Sequence, residues 1–343
     1  MWSNTIMHRI VLAFGLAIAV STIASASSID QIYVFGDSLS DNGNAGFIFE
    51  NYPALIPPGA PAPVPPNYTQ GSYTDGPDTI PATTGPTGLW IDQFAAKIGV
   101  DDPLPEIPNY LDPALPPGTN YAVASATSGS GLPNMEAQVG VYLAQHPIAD
   151  PDSLYVIFGG SNDLLDAPPG SNPATIAAAA VADQLGEIEA LAASGADQFL
   201  WFNVPALNLT PLAAAGGPTV QAFLAQASQD FDTDWAADLA SLDSNSLDVA
   251  GVNIYTLMQD IVASPSAYGF TNVTTPAQGL LGVNPNEYLF WDSEHPTTAG
   301  DALIADAAYD ALYPTPEPSQ LTLAALGLLG VVLLRRRMIS IGH

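Results

Sequence analysis

The sequence predicts an α/β fold built on a central parallel sheet, and three observations lead there. Apolar, β-rich runs recur at residues 31–35, 154–158, 198–204 and 249–255. Alanine-rich segments with helical spacing, 174–193 and 220–242, lie between and after them. Apolar residues make up 48% of the 343-residue chain, enough for a sizeable core. Continuous apolar strands alternating with helices are the mark of a parallel sheet buried on both faces.

Taken in order, the chain opens with an address label. Residues 1–26 hold a basic patch at His8-Arg9, an apolar run over 10–20 and the small-residue site Ala24-Ser25-Ala26, the three parts of a signal peptide. Residues 27–314 read as one domain. Its first strand, 31–35, runs directly into Gly36-Asp37-Ser38. Residues 52–88 are dense in proline, glycine and threonine, which excludes helix and central strand and predicts a long surface loop. Because that loop follows Ser38, a wall or lid over the serine is one reading, and an insertion without function is the other. Two further helices are expected, over 134–145 after Pro133 and over 298–312 after Pro296.

Residues 315–343 form a second label. Pro316-Glu317-Pro318 precedes an apolar stretch, 321–334, that ends in Arg335-Arg336-Arg337. That stretch is short of the roughly 20 residues of a usual transmembrane helix, and the arginines would stay cytoplasmic. The tail resembles the PEP-CTERM sorting signal of Gram-negative bacteria. The resemblance implies processing by an exosortase-type enzyme, export to the cell envelope, surface or extracellular matrix, and membrane contact only through the terminal segments, the tail serving as a transmembrane helix.

Composition excludes several functions. With 34 acidic residues against five basic ones the net charge is −29, which repels phosphate backbones, so no nucleic acid is expected as a partner. No cysteine is present, which removes disulfides, thiolate catalysis and cysteine-ligated metals. A Gly-x-Ser-x-Gly elbow, a Ser-x-x-Lys pair and a His-Glu-x-x-His motif are all missing.

What remains is a serine and a histidine. A strand that stops at a Gly-Asp-Ser turn presents its hydroxyl at the sheet edge where ligands bind in open α/β folds. Of the four histidines, His8 and His343 lie in the terminal labels, and His146 sits at an expected helix end. His295 is left, with Asp292 three residues before it to hold the imidazole tautomer that accepts a serine proton. An alternative for His295 is a cap on the last helix. Gly159-Gly160-Ser161-Asn162-Asp163 closes the strand 154–158, so Asn162 should emerge beside Ser38 as an oxyanion donor, unless it merely forms a turn.

Together the segment 35–44, Gly160-Ser161-Asn162-Asp163 and Asp292-Ser293-Glu294-His295 resemble the blocks of the GDSL, or SGNH, hydrolases, in order and across the whole domain. The resemblance implies a three-layer α/β/α flavodoxin-like fold and a serine ester hydrolase of esterase or lipase type. It implies Ser38 as nucleophile, His295 as base, Asp292 as its support, and an oxyanion hole from Ser38, Ser125 and Asn162. No cofactor and no metal are implied. One block departs: Ala124-Ser125 stand where the family carries glycines. A serine there is strained by about 1 kcal/mol or more if its φ is positive. Two other functions stay open, a polysaccharide O-acetylesterase of the extracellular matrix and a surface or matrix protein that keeps the fold without catalysis.

Overall fold

The computed structural model describes residues 29–56, 60–75, 88–244 and 247–314. The expected signal peptide, the sorting segment and residues 57–59 and 76–87 of the proline-rich stretch lie outside the described residues. Among the described residues no helix is long and apolar enough to cross a membrane.

Four strands pair in parallel in the order β1 (Gln31–Gly36), β2 (Ser153–Phe158), β3 (Gln198–Phe202), β4 (Asp248–Val252). The helices are α1 (Asn44–Asn51), α2 (Trp90–Ile98), α3 (Ile107–Leu111), α4 (Met135–Gln145) and α5 (Ser161–Leu165) in the first half. Then come α6 (Pro173–Ser194), α7 (Pro211–Gly216), α8 (Pro218–Ser244), α9 (Ile254–Ala263) and α10 (Thr298–Leu312). Residues 119–123 add a fifth line of pairing beside β1, because Val34 donates to Thr119 O, Tyr121 to Val34 O and Val123 to Gly36 O. The resulting order, with 119–123 outside β1, is the flavodoxin-like one.

The two faces of each strand divide between two cores, as alternating side chains require. Tyr33 and Phe35 of β1, with Tyr155, Ile157, Phe199 and Trp201, pack under α4, α6 and α8. Ile32 and Val34, with Val156, Phe158, Leu200 and Phe202, pack under α2 and α10. Both faces are therefore covered, which is why the strands read as unbroken apolar runs rather than alternating ones.

Two expected strands are shorter than their apolar runs, for one shared reason. β3 stops at Phe202 and β4 at Val252, where Asn203 and Asn253 both turn their side chains to the start of α9, although Asn203 N still donates to Val252 O. Asn203 Oδ1 accepts from Ile254 N at 2.6 Å, and Asn253 Oδ1 accepts from Thr256 N at 2.7 Å. Asparagine is a strong N-cap because its side-chain oxygen satisfies a helix N–H that has no intrahelical partner. The helix these caps start, α9, was hidden in the sequence by an apolar run that looked like strand.

The proline-rich segment also departs from expectation. Tyr68, Ser72, Tyr73, Thr74 and Asp75 are buried rather than at the surface. The tyrosines pack with Ala45, Ala277 and Trp291, and Asp75 Oδ1 accepts from Thr298 N at 2.6 Å, tying the segment to the first turn of α10.

Candidate active site

The site lies where the strands end. The register pairs Phe35 with Ile157 and Gly36 with Phe158, so β1 and β2 stop flush and their following loops emerge together. At Gly36 a Cβ would stand 2.2 Å from Phe158 O, so only glycine lets the two strand ends approach this closely. Gln138 of α4 clamps the same point from both sides: its Oε1 accepts from Gly36 N at 2.9 Å, and its Nε2 donates to Gly36 O at 2.8 Å.

Beyond Gly36 the chain turns through a local network. Asp37 Oδ1 accepts from Leu39 N at 3.0 Å, and Asp37 O accepts from the N–H groups of Ser40 and Asp41. Ser38 is left half-exposed at the apex of this turn. Asp41 receives N–H groups from Gly43, Asn44 and Ala45 at the start of α1, and from Ala124 across the gap at 2.8 Å. The same block thus presents Ser38 and anchors the strand end that carries Ser125.

His295 and Asp292 arrive from the other side. His295 Nε2 is 2.8 Å from Ser38 Oγ, and its Nδ1 is 2.7 Å from Asp292 Oδ2. Asp292 Oδ1 accepts from the N–H groups of Glu294 and His295 at 2.9 and 2.7 Å. Thr297, not His295, caps α10 through Gly300 N. The helix-cap alternative for His295 is thereby removed. His146 forms the C-cap of α4 and stacks on Tyr142.

Two contributors were not anticipated from the sequence. Tyr68 donates its hydroxyl to Asp292 Oδ2 at 2.8 Å, and the ring of Tyr73 stacks on the His295 imidazole with centroids 5.0 Å apart. Both come from the proline-rich segment. The available signal was a pair of tyrosines, five residues apart, in a stretch otherwise built for turns.

The oxyanion candidates divide. Asn162 sits in the first turn of α5, which Gly160 starts with φ 93, a backbone state glycine adopts without strain. Its Nδ2 donates to Ala126 O at 2.8 Å and reaches Asp37 Oδ2 only at 3.5 Å, so one N–H is left weakly engaged. Ser125 has φ 64, the only positive value on a non-glycine residue among the described residues, so the strain foreseen for a serine there is present. Neither the Ser38 N–H nor the Ser125 N–H has an acceptor among the described residues.

The electrostatics follow from crowding carboxyl groups around one imidazole. For Asp292 burial pushes upward, but the His295 charge and its hydrogen bonds outweigh it and hold the carboxyl at about 2. Burial pushes His295 down, yet Asp292, then Glu294 and Asp37, carry it above its ordinary 6.5. Burial lifts Asp37 to about 7 despite the opposing Leu39 N–H and His295. Among the described residues no group of acidic or histidine side chains is placed to hold a metal ion.

This arrangement can move a proton from a hydroxyl to an imidazole whose partner stays ionised, beside N–H groups free to meet developing negative charge. Comparison with known proteins points the same way. The chain matches the GDSL-like lipase/acylhydrolase family over residues 32–308 and the PEP-CTERM protein-sorting motif over 314–337. It is 31% identical over 353 residues to an uncharacterized protein in the trpE-trpG intergenic region of Pseudomonas putida, covering 92% of this chain and 53% of that one. It is 26% identical over 355 residues to a GDSL esterase/lipase of Arabidopsis thaliana, covering 88% and 92%. With the esterase EstA of Pseudomonas aeruginosa it shares 29% over 347 residues, covering 88% and 49%. The chain spans about half the length of these two Pseudomonas relatives.

Proposed function

The chain belongs to the GDSL-like lipase/acylhydrolase family, and from that premise we propose that it is an exported serine hydrolase of carboxylic esters. Ser38 Oγ attacks the ester carbonyl while His295 Nε2 takes its proton. His295 then returns that proton to the departing alcohol, and a water repeats the sequence on the acyl-enzyme. Asp292 holds the Nδ1–H and stabilises the imidazolium without itself becoming protonated. The N–H groups of Ser38 and Ser125 and the Asn162 side chain receive the oxyanion. The observation that carries this reading is the unbroken relay of 2.8 and 2.7 Å from Ser38 through His295 to Asp292.

Export rests on the two labels. Residues 1–26 serve as signal peptide, 27–314 as the hydrolase domain and 315–343 as the segment an exosortase-type enzyme processes, with the PEP-CTERM match as its support.

The test is hydrolysis of short p-nitrophenyl esters by the purified protein, with labelling by a fluorophosphonate probe. We expect turnover and one label, both lost in Ser38→Ala. A protein that neither turns over nor labels is the non-catalytic matrix protein, and full activity in Ser38→Ala removes the mechanism.

A further inference from the structure

Glu294 directly precedes His295, and the proton relay gives it no task. Its backbone is fixed, because its N–H donates to Asp292 Oδ1 at 2.9 Å. Its side chain is not spent inside the fold. The residue is half-buried and lines the cavity that Ser38, Asn162 and His295 also line. Among the described residues no hydrogen bond reaches its carboxylate. That carboxylate stands close enough to act on His295, where only Asp292 acts more strongly among the charges, and on Asp37. Asp166, exposed at the C-cap of α5, adds a second negative charge beside it. No basic side chain offsets them: Lys97 is the only lysine or arginine in residues 27–314, and it is paired with Asp306.

We propose that Glu294 sets a charge preference: the enzyme favours esters whose alcohol half carries a positive charge, such as an ammonium group, and discriminates against those whose alcohol half is negative. The inference rests on the reading of Ser38 as nucleophile and His295 as its base. His295 Nε2 must return a proton to the alcohol oxygen, so the alcohol half departs on the side where His295, and with it Glu294, stands. A carboxylate held at a cavity wall acts on a charge there through a medium only partly filled by water, so attraction and repulsion exceed those at an open surface. The net charge of −29 acts with the same sign from farther away, but distant exposed charges are screened by salt more than a near neighbour is.

Three butyrate esters isolate the effect. Butyrylcholine is cationic, neohexyl butyrate is its isostere with carbon in place of nitrogen, and sulfoethyl butyrate is anionic and of similar size. The assays use mildly alkaline buffer, because burial raises the Glu294 carboxyl above its ordinary 4.5. At low ionic strength kcat/KM is expected to fall by about tenfold from the cationic to the neutral ester, and by about tenfold again to the anionic one. Glu294→Gln keeps the shape and is expected to shrink the cationic-to-anionic ratio at least roughly tenfold. Asp310→Asn removes the same charge about 18 Å along α10 from its first turn, and is expected to leave the ratio within about twofold. A ratio cancels any loss of folded enzyme and any change in His295 common to the three esters. A wild-type ratio near one, a preference for the anionic ester, or a ratio that Glu294→Gln and Asp310→Asn change equally each overturns the proposal while leaving the serine mechanism standing. No turnover of any of the three esters, or turnover that survives Ser38→Ala, removes the underlying reading instead.

Discussion

The two sides of the proposed relay are built by opposite means. The turn that presents the nucleophile is held by short bonds: Asp37 to Leu39, and Asp41 to Gly43, Asn44 and Ala45, span two to four residues, and Gln138 and Ala124 only fix its two ends. The base side has its own short turn, Asp292 to Glu294 and His295, but its outer support is remote. Asp292 takes its hydroxyl donor from Tyr68, 224 residues earlier, and the imidazole face is covered by Tyr73. A turn that its own short polar side chains hold together can be recognised in a sequence. A carboxylate that a distant phenol orients cannot, because chain folding alone brings the two together.

If this contrast is right, damage on the base side should grade with distance from the reacting atoms. Asp292→Asn carries the largest effect: it leaves the shape but gives His295 the wrong tautomer, and kcat is expected to fall about 10⁴-fold. Steady-state kinetics on a p-nitrophenyl ester would measure it, and a loss under tenfold would detach Asp292 from the relay.

Tyr68→Phe comes next. One hydrogen bond to a charged acceptor is removed, and kcat/KM is expected to drop about tenfold. The pH profile separates positioning from mere packing. The base must be neutral and His295 is raised above its ordinary 6.5, so activity is lost as pH falls through a midpoint above 6.5. Without the Tyr68 hydroxyl to share the Asp292 charge, that charge bears more fully on His295, so the midpoint should move higher still. An unmoved midpoint would reduce Tyr68 to a packing residue and weaken the contrast.

Ser125→Gly is the smallest, and it sharpens the comparison from the nucleophile side. Glycine accepts the φ of 64 that serine holds under strain, so the urea midpoint should rise, by about 1 kcal/mol of stability. The backbone N–H is retained, so kcat should change little. A fall in stability would mean that the serine side chain contributes more than its backbone conformation costs.

Legibility followed the same division. Strands 31–35 and 154–158 were readable because burial on both faces makes them continuous apolar runs, and α10 because the proline break at 296 announces it. That Ser38, His295 and Asp292 meet was readable because each sits in a short motif. α9 was not, since Val249 to Tyr255 is one apolar run and only the caps from Asn203 and Asn253 divide it. The burial of Tyr68 and of residues 71–75 was also invisible. Proline content forbids regular structure, but it does not decide whether an irregular segment is covered.

By itself, then, the sequence determined the parallel α/β architecture, the turn that presents Ser38 and the spacing that pairs Asp292 with His295. Each of these is set by interactions within a few residues or by the periodicity of apolar side chains. The tertiary structure alone decided that Ser125 has a positive φ, that Tyr68 and Tyr73 pack against Asp292 and His295, and that α9 lines the cavity beside Ser38. These depend on which distant segments meet at the end of the sheet, and that is a property of packing the whole chain.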